Sequence, residues 1–575
     1  MERAVVIQLF RRLQLTVFYF SLLLMLESCS TNNPVTVQSA DKVAHASRIT
    51  QDETWSASQI HIITNNLIVD NATLTIEAGT KIQMKDSTLI IVAAGGALKA
   101  IGTARDSILF TVEENSLGAW QSIYFDPHCN LDLCQLEYCI FENGGAGDSL
   151  SAMLICEKVA PPIQYSTFRH SRTNGLRLIG QAEFNNFSHN KFRNNQFAPI
   201  LLPMSAISSL QRSCSFTGNG KDVIRVVEPS QLVKDVIWRA LDVPYQIETE
   251  LRIEAHQITL QPGVKLQFTS TAGFEIAYSG VLLAEGSPDS MIYFNGASAG
   301  QGFWRGIFLL DNVRNANSQF KHCIFDGGGS QSIMTTTGNL VKTLCYCRAA
   351  SAGFSNCIFQ NSGGYAIIFD KVEELNEFKN NRLTLNAGPP IQLTPEVIGS
   401  LKNNQFYNND ENYIEVMGGN LIRGSNIPNF QIPYRLMGRL DIYYIKVTIE
   451  PGTVFELYPN ASISVSAGAA LIADGLSPAG AITFTGAFPN PGSWNYIYFS
   501  QDCNAALCEL NYCKIEYGGG DISWPANIYL EGASPKITNC TIAYSKHWGI
   551  FRSNNAQPDL TNTVFSGNLD GDIWP

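Results

Sequence analysis

Charged residues are scarce in this chain: Asp, Glu, Lys and Arg make up 15% of its 575 residues, well below the roughly 25% of an ordinary soluble domain. Amphipathic helices, which need a charged solvent face, are therefore disfavoured as the main building block. No basic tail offsets the net charge of −11, which argues against nucleic acid as a partner, because phosphate binding needs a basic surface. The apolar run Leu15 to Leu26 has 12 residues, short of the roughly 20 that span a bilayer. Catalytic signatures are also missing. There is no HExxH, no GxSxG, no GxxxxGK, no EF-hand loop and no adjacent Asp-Asp pair, so no cofactor or metal is expected and the sequence leans away from enzymology.

What is present begins with a targeting pattern. Arg3, Arg11 and Arg12 precede the short apolar run, which reads as a signal peptide over residues 1–28. Leu26-Glu27-Ser28-Cys29 resembles the lipobox of bacterial lipoproteins, although Glu27 stands where a small residue is usual. The resemblance implies lipidation of Cys29 and a place in the cell envelope, held by a lipid anchor in the outer membrane. Residues 29–47, rich in Ser, Thr, Asn and Ala, read as a flexible tether.

The remaining length exceeds one globular core, which stops growing near roughly 250–300 residues, and self-comparison shows a repeat array. IEAGTKIQM around Gly79 returns as LQPGVKLQF around Gly263 and IEPGTVFEL around Gly452, 184 and 189 residues on. GGALKAIGT, GAWQSIYF with Trp120 and YCIFENGG with Cys139 also return in order, the last two with Trp304 and Trp494, and Cys323 and Cys513. Three modules follow, at 48–226, 227–416 and 417–575.

Inside each module a shorter step appears. Phe141, Phe168, Phe192 and Phe216 hold the third place of four-residue strands at steps of 27, 24 and 24 residues. Because strand side chains alternate, Phe168 and Phe192 stack inside, with Arg169 and Arg193 outside. Such a coil cannot bury its apolar face alone and needs neighbours above and below; roughly 22 coils at ~4.8 Å each make a rod of about 105 Å. The phrases FSNCIFQNSGGYAI from Phe354 and ITNCTIAYSKHWGI from Ile537 resemble coils of the pectate-lyase-like superfamily. The resemblance implies an all-β fold, a right-handed single-stranded parallel β-helix. The fold hosts lyases, hydrolases, adhesins and scaffolds; its lyases use Arg or Lys as base on uronates, while its polygalacturonase branch uses the Asp-Asp pair missing here. Asp572 and Pro575 are expected to blunt the last coil, with Trp574 folded over it.

The repeat separates packing from function. Cys139, Cys214, Cys323, Cys357, Cys513 and Cys540 share one inward column and read as core thiols, since a single column cannot surround a metal. CNLDLC and CNAALC are present in modules one and three and absent from module two, so the expectation is turn disulfides Cys129-Cys134 and Cys503-Cys508. Trp120, Trp304 and Trp494 recur and read as packing. The recurring acids Glu142, Asp326 and Glu516 lie a module apart, beyond the about 5 to 9.5 Å of a glycosidase pair.

Residues that do not recur are the better guide to function. Arg169, His170, Arg172, Arg177, His189, Lys191 and Arg193 crowd 25 residues of module one, with Glu183 the acid among them. Stacked like charges repel; either Glu142, one coil above Arg169, neutralises them, or an anionic ligand does. The candidate ligand-binding residues are thus Arg169, His170, Arg172, Lys191, Arg193 and Glu142. The expected function is a non-catalytic scaffold or glycan-binding lipoprotein whose partner is an acidic polysaccharide or another envelope protein. The alternatives are a lyase or hydrolase on acidic glycans and an adhesin or protein-interaction solenoid.

Overall fold

The computed structural model describes residues 41–45, 47–112, 119–228, 232–311 and 318–574. The signal peptide, Cys29, most of the tether, the module-two turn at 312–317 and Pro575 lie outside the described residues.

The chain folds as a right-handed parallel β-helix whose strands form seven sheets among the described residues. The hairpin Ser332–Met334 with Leu340–Arg348 is antiparallel and stands off the main path. Three strands per coil give each module three faces. The first carries Cys139–Glu142 and its counterparts Cys323–Asp326 and Cys513–Glu516. The second begins just after Trp120, Trp304 and Trp494, and the third carries Ala97–Ile101, Val281–Glu285 and Ala470–Asp474. The corner from third face to first needs left-handed backbone, which explains the glycine in IEAGT, LQPGV and IEPGT: Gly79, Gly263 and Gly452 sit at φ +80°, +85° and +76°.

Alternation does the rest. Inward Phe110, Phe141, Phe168, Phe192 and Phe216 stack at ring-centroid spacings of 5.0, 4.7, 4.6 and 5.5 Å. Beside them runs a polar inward column in which several backbone N–H groups find a side chain on the next coil. Cys139 N–H donates to Ser166 Oγ at 3.1 Å, and Ser166 N–H to Asn190 Oδ1 at 3.0 Å. Buried strand termini are thereby satisfied without water.

The co-occurrence of Trp and Gly-Gly has a steric cause. The indoles of Trp120, Trp304 and Trp494 are fully buried and donate to the backbone oxygens of Glu142, Asp326 and Glu516 at 2.9, 2.7 and 2.8 Å. A Cβ at Gly144 would lie 2.3 Å from the Trp120 ring, and one at Gly518 3.0 Å from Trp494. The tryptophan therefore requires the glycine.

The modules do not repeat on the same face. The 15-stranded sheet begins as the second face of module one and ends, at Gln405–Tyr407, as the first face of module two. The 14-stranded sheet likewise carries the second face of module two into the first face of module three. Each module is thus rotated by one face from its predecessor. Strands Ile224–Glu228 and Ile414–Val416 carry these sheets through the seams; the first spans the 226/227 boundary between modules.

One expectation needs correction. Trp574 does not fold over the last coil: it ends strand Gly571–Trp574 and stacks outward on Phe551 at 5.6 Å, because Ile573 takes the inward place beside Ile550. The expected pairs, Cys129 with Cys134 and Cys503 with Cys508, lie at the two ends of one short turn each. In each pair the side chains hydrogen-bond across a 3-10 turn, Leu131–Leu133 or Ala505–Leu507, which pushes Cys134 and Cys508 down and Cys129 and Cys503 up from the usual thiol range.

Candidate functional site

Strands Thr167–Arg169 and Lys191–Arg193 each place one phenylalanine inside and two side chains outside, and the register sets Arg169 beside Arg193 and Thr167 beside Lys191. One coil earlier Glu142 lies beside Arg169. Its carboxylate accepts from Arg169 Nε at 2.7 Å and from Thr111 Oγ1 at 3.0 Å, with a second guanidinium nitrogen 2.5 Å away. Glu142 therefore neutralises Arg169, and both its oxygens are engaged.

Arg193 closes the column without that help. It is exposed, as are Lys191, His170 and Arg172, and none of the four has a carboxylate partner among the described residues. His170 sits at the corner after Thr167–Arg169 in left-handed conformation, φ 56°. Arg172 follows on the same turn, fixed by its backbone N–H to Gly144 O at 2.9 Å.

The rest of the basic window divides. Arg177 belongs to the second face, where it meets Glu228 at 3.4 Å and the Leu150 carbonyl at 3.1 Å, so it is not part of this surface. Glu183 pairs with Lys234. His189, at the opposite corner from His170, stacks on Tyr165 at 4.7 Å, which stacks on Tyr138 at 4.8 Å.

The structure adds residues that the sequence window missed. The first and third sheets of module one end at Lys191–Arg193 and Phe187–Ser188, and a notch of about 520 Å³ opens at this seam. Arg212 and Arg239 line it with Ser208, Ser209 and Ser213. Arg212 donates to the Ala240 carbonyl and to Gln261 Oε1, and Arg239 to the Ser208 carbonyl at 2.6 Å, and neither charge meets a carboxylate among the described residues. The notch adjoins the exposed cations: His189 N–H donates to Ser213 Oγ at 3.2 Å, and Lys191 bridges to Ser215. No signal in the sequence joins Arg239 to Arg193, since the two belong to different modules.

The equivalent acids are satisfied differently. Asp326 accepts from Gln360 Nε2 and Asn361 Nδ2 at 3.1 and 2.7 Å, and Glu516 meets Lys514 Nζ at 2.8 Å. Among the described residues no cluster of three His, Cys, Asp or Glu side chains is placed to hold a metal ion, and no helix is long and apolar enough to cross a membrane.

The stacked parallel coils define the class: this is a right-handed parallel β-helix protein. Residues 47–126 match the family model described as a pectate-lyase like beta helix domain, and the IEAGT, GGALKA and GAW blocks inside that stretch are those that return in modules two and three. Neither the curated proteins nor the solved structures contain a match to the chain.

Proposed function

We propose that the chain is a non-catalytic, glycan-binding solenoid of the cell envelope, anchored through lipid on Cys29, that takes an acidic polysaccharide across the first seam. The observation that carries this reading is the run of exposed cations Arg193, Lys191, His170 and Arg172 without a carboxylate partner among the described residues, next to a notch lined by Arg212 and Arg239. Guanidinium forks suit carboxylate or sulfate groups spaced along a polymer. A binding role is favoured over hydrolysis because Glu142, the carboxylate nearest in register, is already held by Thr111 and Arg169.

Titration with polygalacturonate and alginate tests the reading. Binding is expected to weaken with added salt and to be lost when Arg193 and Lys191 are both changed to alanine. Undiminished binding in that variant, or none in the wild type, refutes it. Chain scission of either polymer by the wild type would favour a lyase in which unpaired Arg193 acts as base. Mass spectrometry of the mature N-terminus tests the anchor: an unmodified end away from Cys29 removes it.

A further inference from the structure

The seam between modules two and three is built as the first one is, but its lining is different. A cavity of about 830 Å³ opens there, within the roughly 300–1,000 Å³ of small-molecule sites. It exists because two sheets stop at this level: Leu401–Lys402 and Gln405–Tyr407 are their last strands. The 3-10 helix Pro395–Ser400 corresponds to Met204–Ser209 at the first seam. Where the first seam presents Arg239, the second presents Pro428 and a wall of amides.

Asn403, Asn404 and Gln405 form one side, and Asn426, Asn429 and Gln431 face them. Phe406 and Phe430 meet edge to face at 5.1 Å beneath, and Tyr407 stands at the rim, 37% exposed. Lys402 and Glu450 are the charged residues of the lining. Glu450 is committed to the wall itself, accepting from Asn426 Nδ2 at 2.7 Å and from Asn429 N–H at 2.9 Å. The side chains of Asn403, Gln405 and Gln431 are exposed and make no hydrogen bond among the described residues.

An amide offers donors and an acceptor at once, and so does a hydroxyl. Three unengaged amides, Asn403, Gln405 and Gln431, beside an exposed aromatic face therefore match a polyhydroxylated, uncharged ligand with an apolar ring face. An anionic polymer would find Lys402 and little else. We propose that the second seam binds a neutral glycan segment, with Asn403, Gln405 and Gln431 taking its hydroxyls and Tyr407 carrying a sugar ring. This site is independent of the acidic-glycan reading of the first seam.

The test is calorimetric titration of the whole protein with neutral hexasaccharides of glucose, xylose, mannose and galactose. At least one is expected to bind, with little dependence on salt. Gln405→Ala with Tyr407→Ala should weaken that binding about tenfold or more, and each single change should weaken it less. Both side chains are exposed, so circular dichroism should match wild type; if the double variant misfolds, the single variants decide. Arg193→Ala should leave neutral binding unchanged even where it abolishes acidic binding, so the two seams fail separately. The proposal is overturned if none of the four sugars binds or if the folded variants bind as wild type does. It is equally overturned if a displayed peptide library occupies the notch along the free edge of Gln405–Tyr407 while the sugars do not.

Discussion

Replacing Glu142 by glutamine removes one charge from a column of three. In the wild type its carboxylate is 15% exposed and the Arg169 side chain 29%, so the pair is partly shielded from solvent. The Coulomb ceiling for such a pair near a surface is about 4 kcal/mol. Hydrogen bonds to charged groups contribute about 1.5–3 kcal/mol net, and a neutral amide oxygen retains about 1 kcal/mol of that. Unmasking Arg169 against Arg193, which face each other in register, adds up to about 1 kcal/mol of repulsion. The expected loss is about 2 kcal/mol, local to these coils. A solenoid opens in pieces, so the measurement is hydrogen exchange by mass spectrometry over Cys139–Glu142 and Thr167–Arg169. There exchange should speed up about 30-fold, the factor that 2 kcal/mol represents. Adding Arg193→Ala should recover the repulsive share. Unchanged exchange in Glu142→Gln, or no recovery in the double variant, would refute the charge-column account. Glu142→Gln should also tighten binding of an acidic polysaccharide by leaving Arg169 unneutralised.

Gly144→Ala forces a Cβ to within 2.3 Å of the Trp120 ring and should cost about 1–3 kcal/mol as overpacking, read as a lower urea midpoint; wild-type stability would show that Trp120 does not dictate the glycine. In an oxidising compartment we expect Cys129 to join Cys134 and Cys503 to join Cys508. Non-reducing peptide mapping checks this, and free thiols at those positions would refute it. After reduction, Cys134 and Cys508 should alkylate before their partners, whose protons the shared hydrogen bond retains. Near the N-terminal coil, burial lowers His45 from 6.5 to about 4 while it stacks on Trp55 at 3.9 Å and hydrogen-bonds His61 at 2.8 Å. The unfolded chain binds more protons in that interval, so the contribution is whole above about pH 6.5 and is lost as pH falls toward 4. Exchange over Gln59–Ile63 should rise as pH falls across that range in wild type and rise less in His45→Phe, where His61, also lowered by burial, remains.

The coil was legible in the sequence because its cause is local. A strand that buries alternate residues must repeat Phe168 as Phe192 one coil on, and an indole packed against the chain at Trp120 must meet a glycine at Gly144. The repeat therefore gave away the fold, the inward cysteines and the outward direction of Arg169 and Arg193. It also offered Glu142 as the acid beside Arg169, and the structure sets that carboxylate 2.7 Å from Arg169 Nε while Arg193 has no carboxylate partner among the described residues. The rotation of each module by one face was not legible, because it depends on turn and strand lengths summed over a whole module, to which no single motif is sensitive. That rotation ends two sheets at each seam and opens the notches there. It brings Arg239 of module two beside Arg212 and the cations of module one, and it sets Gln405 and Gln431 in one cavity lining. Local alternation determined what each coil buries; the accumulated register between coils decided which surfaces meet.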